Sequence, residues 1–522
     1  MKIFNSSIKG FLMATIVALF VVSCSEDTMD DINRDANHPT DVSAKFILAD
    51  VITRTASSNV GGDINTYTSV YVEHQAGIHN QLYRAETRDN EPKAASTFNN
   101  VWGSLYQTLK NAKIVIAKCS EDGSEPANQV TKGIAEVLAA YNLALLTDMF
   151  GDVPWTEACD INVSLTPKID KQEAIYEVVM NYLDQAIIDL QGTDALSMSG
   201  YDFLYGGDGA KWLKFAYGLK ARYTMHLLYR STNKTQDLQD IIDYCDNSFA
   251  SVDDQAAFAI YDASNLNPLF DFQWSRDGLA ASKSMADRLI ALNDPRANRV
   301  FCGVWTYMAQ LLPSDGAYFE PAPNGTCEQL QYHYTETMFL YAQEAPTLLL
   351  SYHEVLFLKA EALCRLNRAP EAEPILKDAV TAGIMNAENS VETAFENPSL
   401  ASYGYQIAER SNPMTETDAS NYFDNDVKPL FDVDPLRETM IQKYIAFFGA
   451  SGESTECYND IRRMKALGEN FVVLANPNNT DKFPLRCPYG NDDTTTNPNV
   501  QDAYGDGTYV YTENVWWAGG TR

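Results

Sequence analysis

The chain has 522 residues, 45% of them hydrophobic and 21% charged, which is typical of a folded protein and too apolar for a disordered one. Its 70 acidic and 39 basic residues give a formal net charge of −31. A chain this acidic lacks the basic surface that a phosphate backbone requires, so nucleic acid is excluded as its main partner.

Residues 1–23 are predicted to be a lipoprotein signal peptide. Lys2 and Lys9 precede an apolar stretch, residues 11–22, which is shorter than the roughly 20 residues of a membrane span and fits an export signal. The stretch ends at Ser23 and Cys24, which resemble the lipobox that lipoprotein signal peptidase cuts. We therefore expect Cys24 to be the lipidated mature N-terminus. The alternative is an ordinary cysteine after an ordinary export signal.

Residues 24–45 are predicted to be an acidic tether. The run Ser25–Asp31 (SEDTMDD) has neither a helical nor a strand period, which is typical of a solvated linker. It also resembles the acidic signal that sends lipoproteins of Bacteroidetes-type bacteria to the outer face of the outer membrane. A simple linker is the alternative interpretation.

Helical periodicity dominates residues 46–522, which we interpret as a single domain. Apolar residues from Ile134 to Met149 recur at helical spacing and predict a long helix with one apolar face. The pattern repeats over Ile175–Leu190, after Pro167 and Asp170, and a third helix is predicted to begin near Ala210.

A helix hairpin is predicted farther along the chain. Two apolar stripes, Val355–Leu366 and Ala372–Val380, are separated by a short turn at Asn367–Ala369. Gly383 is expected to cap the second helix. Because such pairs cannot bury their apolar faces alone, several of them stacked together predict a mainly α fold of tetratricopeptide-like helical repeats.

Two long stretches lack a clean period, residues 261–345 and 384–434. They are rich in turn residues and aromatics, and loops of this length are often functional, so we expect the binding surface there. The tail from Asn476 onward is predicted to be irregular surface coil.

Motifs for enzyme or metal chemistry are incomplete. The cysteines form no C-x-x-C pair, and Cys302 and Cys327 are compatible with a disulfide or with free thiols. His353 begins like a zinc-protease helix, but Phe357 stands where the second ligand belongs. We assign no catalytic residue, no metal ligand and no cofactor. An acidic stretch is compatible with structural calcium or with a solvated loop, and its aspartates are Asp424, Asp426, Asp432 and Asp434.

Several segments, taken in order, resemble the SusD/RagB family of outer-membrane nutrient-binding lipoproteins, in its SusD-like branch. The resemblance runs over nearly all of the mature chain. Its segments are Asn99–Tyr106 (NNVWGSLY), Tyr141–Trp155 (YNLALLTDMFGDVPW), Gly207–Tyr223 (GDGAKWLKFAYGLKARY), Asp294–Arg296 (DPR), Tyr352–Leu363 (YHEVLFLKAEAL), Glu456–Arg463 (ECYNDIRR) and Phe483–Tyr489 (FPLRCPY).

The resemblance implies four tetratricopeptide-like helix pairs and a loop-rich region that carries the ligand site. It also implies a partner, since such lipoproteins act as lids over a SusC-like TonB-dependent transporter. They capture an oligosaccharide, or an oligopeptide in the RagB case, and perform no chemistry. A tethered surface glycan hydrolase and a helical scaffold that binds only protein are the competing hypotheses.

Ligand-binding residues are expected among the aromatics of irregular sequence. A sugar ring offers an apolar face and a rim of hydroxyls, so its receptor needs exposed aromatic platforms beside polar groups. The candidates are Tyr83, Arg84, Trp274, Trp305, Tyr307 and Tyr318. Each of them is equally compatible with packing under its own loop. Trp516 and Trp517 are expected either to form an exposed contact or to pin the tail.

Overall fold

The computed structural model describes residues 41–302, 319–396 and 412–522. Residues from Ala44 to Arg522 fold as one unit that is mainly helical, which confirms the predicted fold class. Its α-helices are α1 (Ala44–Arg54), α2 (Asp63–Tyr71), α3 (Asn80–Thr87), α4 (Thr97–Cys119), α5 (Gln129–Phe150), α6 (Gln172–Asp189), α7 (Gly209–His226), α8 (Lys234–Asp246), α9 (Pro268–Arg276), α10 (Lys283–Ala291), α11 (Tyr352–Arg365), α12 (Ala369–Glu396), α13 (Glu416–Tyr422), α14 (Lys428–Phe431), α15 (Pro435–Ala446), α16 (Ser454–Leu467), α17 (Asn479–Lys482), α18 (Asn491–Thr496) and α19 (Pro498–Tyr504).

Short strands form antiparallel two-stranded ladders between the helices. The strands are β1 (Gln75–Gly77), β2 (Val153–Pro154), β3 (Ile169–Asp170), β4 (Ala256–Phe258), β5 (Leu279–Ala281), β6 (Phe301–Cys302), β7 (Glu336–Thr337) and β8 (Thr347–Leu350). In the described ranges the pairs are β1 with β5, β2 with β3, β4 with β8 and β6 with β7.

Helix α5 lies at the centre of the stack, with α4 and α6 packed against it. The sequence predicted a single apolar face for this helix, but nearly every residue from Val130 to Phe150 is buried. The prediction of one face is therefore wrong. The helix is apolar all round because its neighbours surround it, and this explains why its hydropathy alone would allow it to cross a membrane.

The predicted hairpin is present as α11 and α12, which pack against each other. The turn between them is confirmed, but Gly383 does not end the second helix, which continues to Glu396. A Cβ atom at Gly383 would lie 2.9 Å from the Cβ atom of Ala446, so glycine serves the close approach of α12 and α15.

The expectation of loop-rich sequence over residues 384–434 is wrong for its described parts. Residues up to 396 belong to α12, and residues 416–431 form α13, a π-helical turn and α14. The predicted insertion at residues 261–345 is a mixture of short helices, short strands and turns in its described parts. Turn-forming residues in both stretches cap short helices; Asn267, for example, accepts hydrogen bonds from the first amides of α9.

The C-terminal tail is not surface coil, contrary to expectation. Tyr489, Val500, Val515 and Trp517 are all fully buried in the main core. The Trp517 ring stacks on that of His226 with centroids 5.4 Å apart, so it pins the tail. These residues are widely spaced in the sequence and pack against distant helices, so they leave no local period.

A buried network of charged side chains joins four helices of the stack. Arg222 of α7 donates to both carboxylate oxygens of Glu354 of α11, at 2.7 and 2.6 Å. His226 Nε2 lies 2.9 Å from Glu456 Oε2 of α16, and its Nδ1 lies 3.3 Å from Asp148 Oδ2 of α5. Burial alone lowers the pKa of His226, but Glu456 and Asp148 outweigh it and raise the pKa to about 9.

A second buried network lies between α11, α15 and α16. Glu361 accepts hydrogen bonds from Arg365 at 2.8 Å and from Arg463 at 2.5 Å, and Lys443 lies 2.7 Å from Asp460. Burial raises the pKa of Glu361, but Arg463 and the other cations outweigh it and hold the pKa well below its usual range. Both arginines are therefore paired inside the fold.

The remaining predicted groups have structural partners. In the described part of the chain all eight cysteines are free thiols, including Cys302 and Cys327. His353 is buried, and its Nε2 lies 2.9 Å from Glu453 Oε2. The four aspartates of the acidic stretch each make a different contact. Asp424 pairs with Lys377, and Asp432 pairs with Lys428. Asp426 accepts a hydrogen bond from Asn293, and Asp434 caps the first turn of α15.

Replacement of His226 should flatten the dependence of stability on pH. The folded protein holds this proton up to about pH 9, whereas an unfolded histidine releases it near 6.5. The contribution, roughly 3 kcal/mol, is thus complete below about pH 6.5 and is lost as the pH rises to 9. We expect chemical denaturation of His226→Gln to show a smaller loss of unfolding free energy over this interval. His333→Gln changes a half-buried histidine outside this network and should keep the wild-type slope; equal slopes for both variants would contradict the assignment.

Candidate functional site

The β1–β5 ladder brings two distant parts of the chain together. Gln75 pairs with Ala281 and Gly77 with Leu279, so the end of β1 lies beside the start of β5. Helix α3 follows β1 and α9 precedes β5, and both therefore leave the ladder at the same end. The Ile78 amide extends the pairing by donating to the Gly278 carbonyl at 2.9 Å.

A segment from residue 320 to residue 335 crosses this ladder. The Ala281 amide donates to the Thr335 carbonyl at 2.8 Å, and the Ala322 amide donates to the Ala281 carbonyl at 2.9 Å. The ladder and the segment share a small apolar core, separate from the main one, against which Tyr83 packs. Its members are Ala76, Ile78, Ala280, Ala322, Cys327 and Tyr334.

Glu86 of α3 fastens the segment to the ladder. Its Oε1 accepts the Gly325 amide at 2.6 Å, and its Oε2 accepts the Gly77 amide at 3.2 Å. Asn476 donates to the same carboxylate at 3.3 Å. Burial raises the pKa of Glu86 to about 7 despite the nearby Arg88. One carboxyl group therefore binds two backbone amides and the Asn476 side chain, which come from three different parts of the chain.

Two large aromatic side chains are exposed where α9 meets this segment. Trp274 and Tyr332 each expose 40% of their surface, although both are large and apolar. Phe270, which is buried, stacks on Trp274 with ring centroids 5.7 Å apart and an angle of 13°. The Gln331 side chain donates to the Arg276 carbonyl at 2.9 Å and so joins the segment to the end of α9. We call the surface formed by these residues (Trp274, Arg276, Gln331 and Tyr332) the aromatic face.

The backbone of the aromatic face adopts strained conformations. Tyr332 has φ of 57° and Asp277 has φ of 44°, in the left-handed region that bulky residues rarely occupy. The Tyr332 amide donates to Asp277 Oδ2 at 3.1 Å, and this contact holds the strained turn in place. Asp277 is the residue that follows the end of α9, so the two left-handed residues together close the turn where the segment meets this helix.

Two buried acids lie beneath the aromatic face. Gln273 donates to Asp277 at 3.0 Å and to Glu336 at 3.4 Å, and Tyr341 also donates to Glu336. Burial raises the pKa of Asp277 to about 6; burial and the neighbouring Asp277 raise that of Glu336 well above its usual range. Both carboxyl groups are therefore engaged inside the fold and support the aromatic face from below.

Three of the six predicted ligand residues lie on this scaffold. Trp274 is exposed on α9, Arg84 is exposed on α3, and Tyr83 is half-buried beside it, all on helices rather than in loops. Trp305, Tyr307, Tyr318 and the lipidation candidate Cys24 lie outside the described residues. Tyr332 and Gln331 were missed, although the run LQYHY that contains them alternates apolar and polar residues within irregular sequence.

The aromatic face has the chemistry of a sugar-binding surface. Exposed rings can stack on the apolar face of a sugar, while the exposed side chain of Arg276 can donate hydrogen bonds to hydroxyls. Within residues 41–302, 319–396 and 412–522, no group of three His, Cys, Asp or Glu side chains is arranged to hold a metal ion.

Comparison with known proteins gives a consistent picture. The sequence model of the family SusD-like_2, described as starch-binding associating with outer membrane, matches residues 36–489. A crystal structure of a SusD/RagB family protein from Bacteroides thetaiotaomicron is 54% identical and covers 92% of this chain and 100% of its own, with a TM-score of 0.87.

More distant structures share the fold. One named a chitin-binding protein is 22% identical, covers 91% of this chain and 100% of its own, and has a TM-score of 0.70. A chitin-binding SusD homologue from Flavobacterium johnsoniae is 16% identical, covers 91% of this chain and 98% of its own, and has a TM-score of 0.65. Comparison with curated proteins finds no match.

Removal of the Glu86 carboxyl group should loosen the scaffold of the aromatic face. In Glu86→Ala, the Gly325 and Gly77 amides lose their acceptor, which costs about 1–3 kcal/mol locally. We expect the hydrogen-exchange protection of both amides to fall at least tenfold. Glu328→Ala, which removes an exposed glutamate from the same segment, should leave protection unchanged. Unchanged protection in Glu86→Ala would show that Glu86 does not hold the segment.

Proposed function

The chain belongs to the SusD-like family, and from this premise we propose that it is a surface lipoprotein that binds an oligosaccharide and delivers it to a SusC-like TonB-dependent transporter, acting as the transporter's lid. The observation that carries the proposal is the aromatic face, with Trp274 and Tyr332 exposed on a strained and buried framework. The family description, which names starch binding and the outer membrane, supports it.

The ligand we propose is a neutral glycan. The net charge of −31 opposes strongly anionic sugars, and two aromatic platforms suit the apolar faces of uncharged rings. A shallow surface with two platforms should bind with about −4 to −7 kcal/mol, which corresponds to roughly millimolar to micromolar dissociation constants. Such affinity suits capture followed by release into a transporter.

The proposal includes no catalysis. A tethered hydrolase would need two carboxyl groups at the ligand, whereas Asp277 and Glu336 beneath the aromatic face are buried and bonded to Gln273. The oligopeptide alternative of RagB type would rely on backbone hydrogen bonds rather than on ring stacking. The two alternatives therefore predict different results in the same binding experiment.

Trp274→Ala and Tyr332→Ala should each weaken glycan binding about tenfold, because each removes a stacking platform. Isothermal titration calorimetry against malto-oligosaccharides and chito-oligosaccharides measures the loss. Phe46→Ala removes an equally exposed ring from α1 and serves as the matched control, with no expected change. New reducing ends during incubation would contradict the proposal in favour of a hydrolase. Binding of oligopeptides but of no glycan would contradict it in favour of the RagB alternative.

Cys24→Ser should release the protein from the membrane, since the proposed acyl chains attach to this thiol. Cells fed an alkyne-labelled fatty acid should label the wild-type protein and not the variant, which should appear in the soluble fraction. Lys2→Gln, which keeps the thiol, should remain labelled. Labelling of Cys24→Ser would show that the anchor lies elsewhere.

A further inference from the structure

A concave surface lies in a different part of the chain from the aromatic face. The hairpin of residues 155–168, between β2 and β3, stands against helix α4 and encloses a groove of about 950 Å³. We call it the hairpin groove. Its lining includes Gln107, Lys110, Ile114, Ile161 and Leu165. None of the residues of the aromatic face contributes to it.

The hairpin exposes large aliphatic side chains. Ile161, Val163 and Leu165 are 77%, 60% and 81% exposed, and Ile114 on the facing helix is 37% exposed. Ile114, Ile161 and Leu165 line the same groove. Isolated exposed apolar residues, by contrast, are ordinary on a protein surface. Concentrated apolar exposure of this kind marks an interaction surface.

The exposure is built into a fixed hairpin. Lys113 donates to the Ala158 carbonyl at 3.0 Å, and its ammonium lies 3.8 Å from the centroid of the Trp155 ring. Asp170 accepts the Trp155 and Thr156 amides at 2.8 and 2.9 Å. Both ends of the hairpin base are thus tied down, and the aliphatic side chains are presented by an ordered support.

Helix α4 presents an uncovered stripe to the groove. Gln107, Lys110, Ile114 and Ala117 recur at helical spacing and are all exposed, while the opposite side of α4 packs on α1 and α5. Within the described residues, no hydrogen bond or ion pair engages the Lys110 ammonium. The groove therefore offers an apolar wall and one available cation.

Three classes of occupant fit the groove poorly. A glycan lacks a platform, because the Tyr106 ring is half-buried and its hydroxyl donates to the Pro154 carbonyl at 2.7 Å. An anionic lipid surface is opposed by the net charge of −31, and Lys168 of the hairpin is already paired with Glu157 at 3.0 Å. A second copy would bring the same negative charge, which disfavours self-association.

We propose that the hairpin groove docks a polypeptide loop of the outer-membrane transporter, with aliphatic or aromatic side chains against Ile161 and Leu165 and a carboxylate facing Lys110. The inference rests on the proposed function for the existence of that transporter. The start of the folded unit supports it, because the Ala44 amide donates to Glu125 Oε1 just beyond the end of α4. Ala44, the first residue of the folded unit, is therefore held near the C-terminal end of the helix that lines the groove.

The test uses the full-length tagged lipoprotein, purified with mild detergent from the cells that naturally produce it. The probe is the recovered TonB-dependent transporter, identified and quantified against the bait by mass spectrometry. The double variant Ile161→Asp/Leu165→Asp places charges in the apolar wall and should reduce transporter recovery at least tenfold. Lys110→Glu should reduce it severalfold. Val433→Asp changes a residue that is 84% exposed and outside the groove, and it should match wild type.

Glycan titrations separate this inference from the proposed function. The double variant should bind glycan as wild type does, and Trp274→Ala should recover the transporter as wild type does. If the double variant recovers as much transporter as wild type, the groove is not the docking surface, and the proposed function still stands. If the double variant loses glycan binding, the groove is a sugar site instead. Absence of any TonB-dependent transporter from the wild-type sample would overturn both.

A photo-crosslinker in place of Leu165 should form a covalent adduct with the transporter. Adducts with lipid or with a second copy of the chain would also overturn the assignment.

Discussion

Buried ion pairs between helices are the constraint on which this structure depends. Arg222 with Glu354, and Arg463 with Glu361, lie where a displaced helix would leave a charge without a partner in a region of low dielectric constant. Removing one partner of such a pair costs about 3–5 kcal/mol, because the other charge is left buried and uncompensated. The pairs thus favour one arrangement of α7, α11 and α16 over arrangements in which a helix is shifted.

This framework reaches the aromatic face through His74, the residue that precedes β1. His74 is buried, with Nδ1 3.0 Å from Ser454 Oγ of α16 and Nε2 3.0 Å from the Tyr444 carbonyl of α15. Burial lowers its pKa to about 3, so it remains neutral at physiological pH. The ladder that follows it supports α3, α9 and the crossing segment. The proposed binding surface is therefore rigid although much of it consists of turns, which reduces the entropy lost on binding a ligand.

The sequence predicts those features that depend on local periodicity. The apolar stripes of α5, α11 and α12 were recognisable because each repeats every turn, and Trp274 was recognisable as an aromatic residue beside polar ones. Tyr332 was not, because its exposure depends on a hydrogen bond to Asp277, 55 residues earlier in the chain. The end of α12 was missed for a related reason, since Gly383 is explained by contact with Ala446 and not by its neighbours in sequence. The burial of the C-terminal tail likewise depends on distant helices.

The central claim is that sugar rings stack on the aromatic face. A crystal structure of the protein soaked with the tightest-binding oligosaccharide of the titration panel tests this claim most directly. We expect sugar density over the rings of Trp274 and Tyr332, with hydroxyls within hydrogen-bond distance of Arg276. Ordered sugar at another surface, with both rings uncovered, would contradict it.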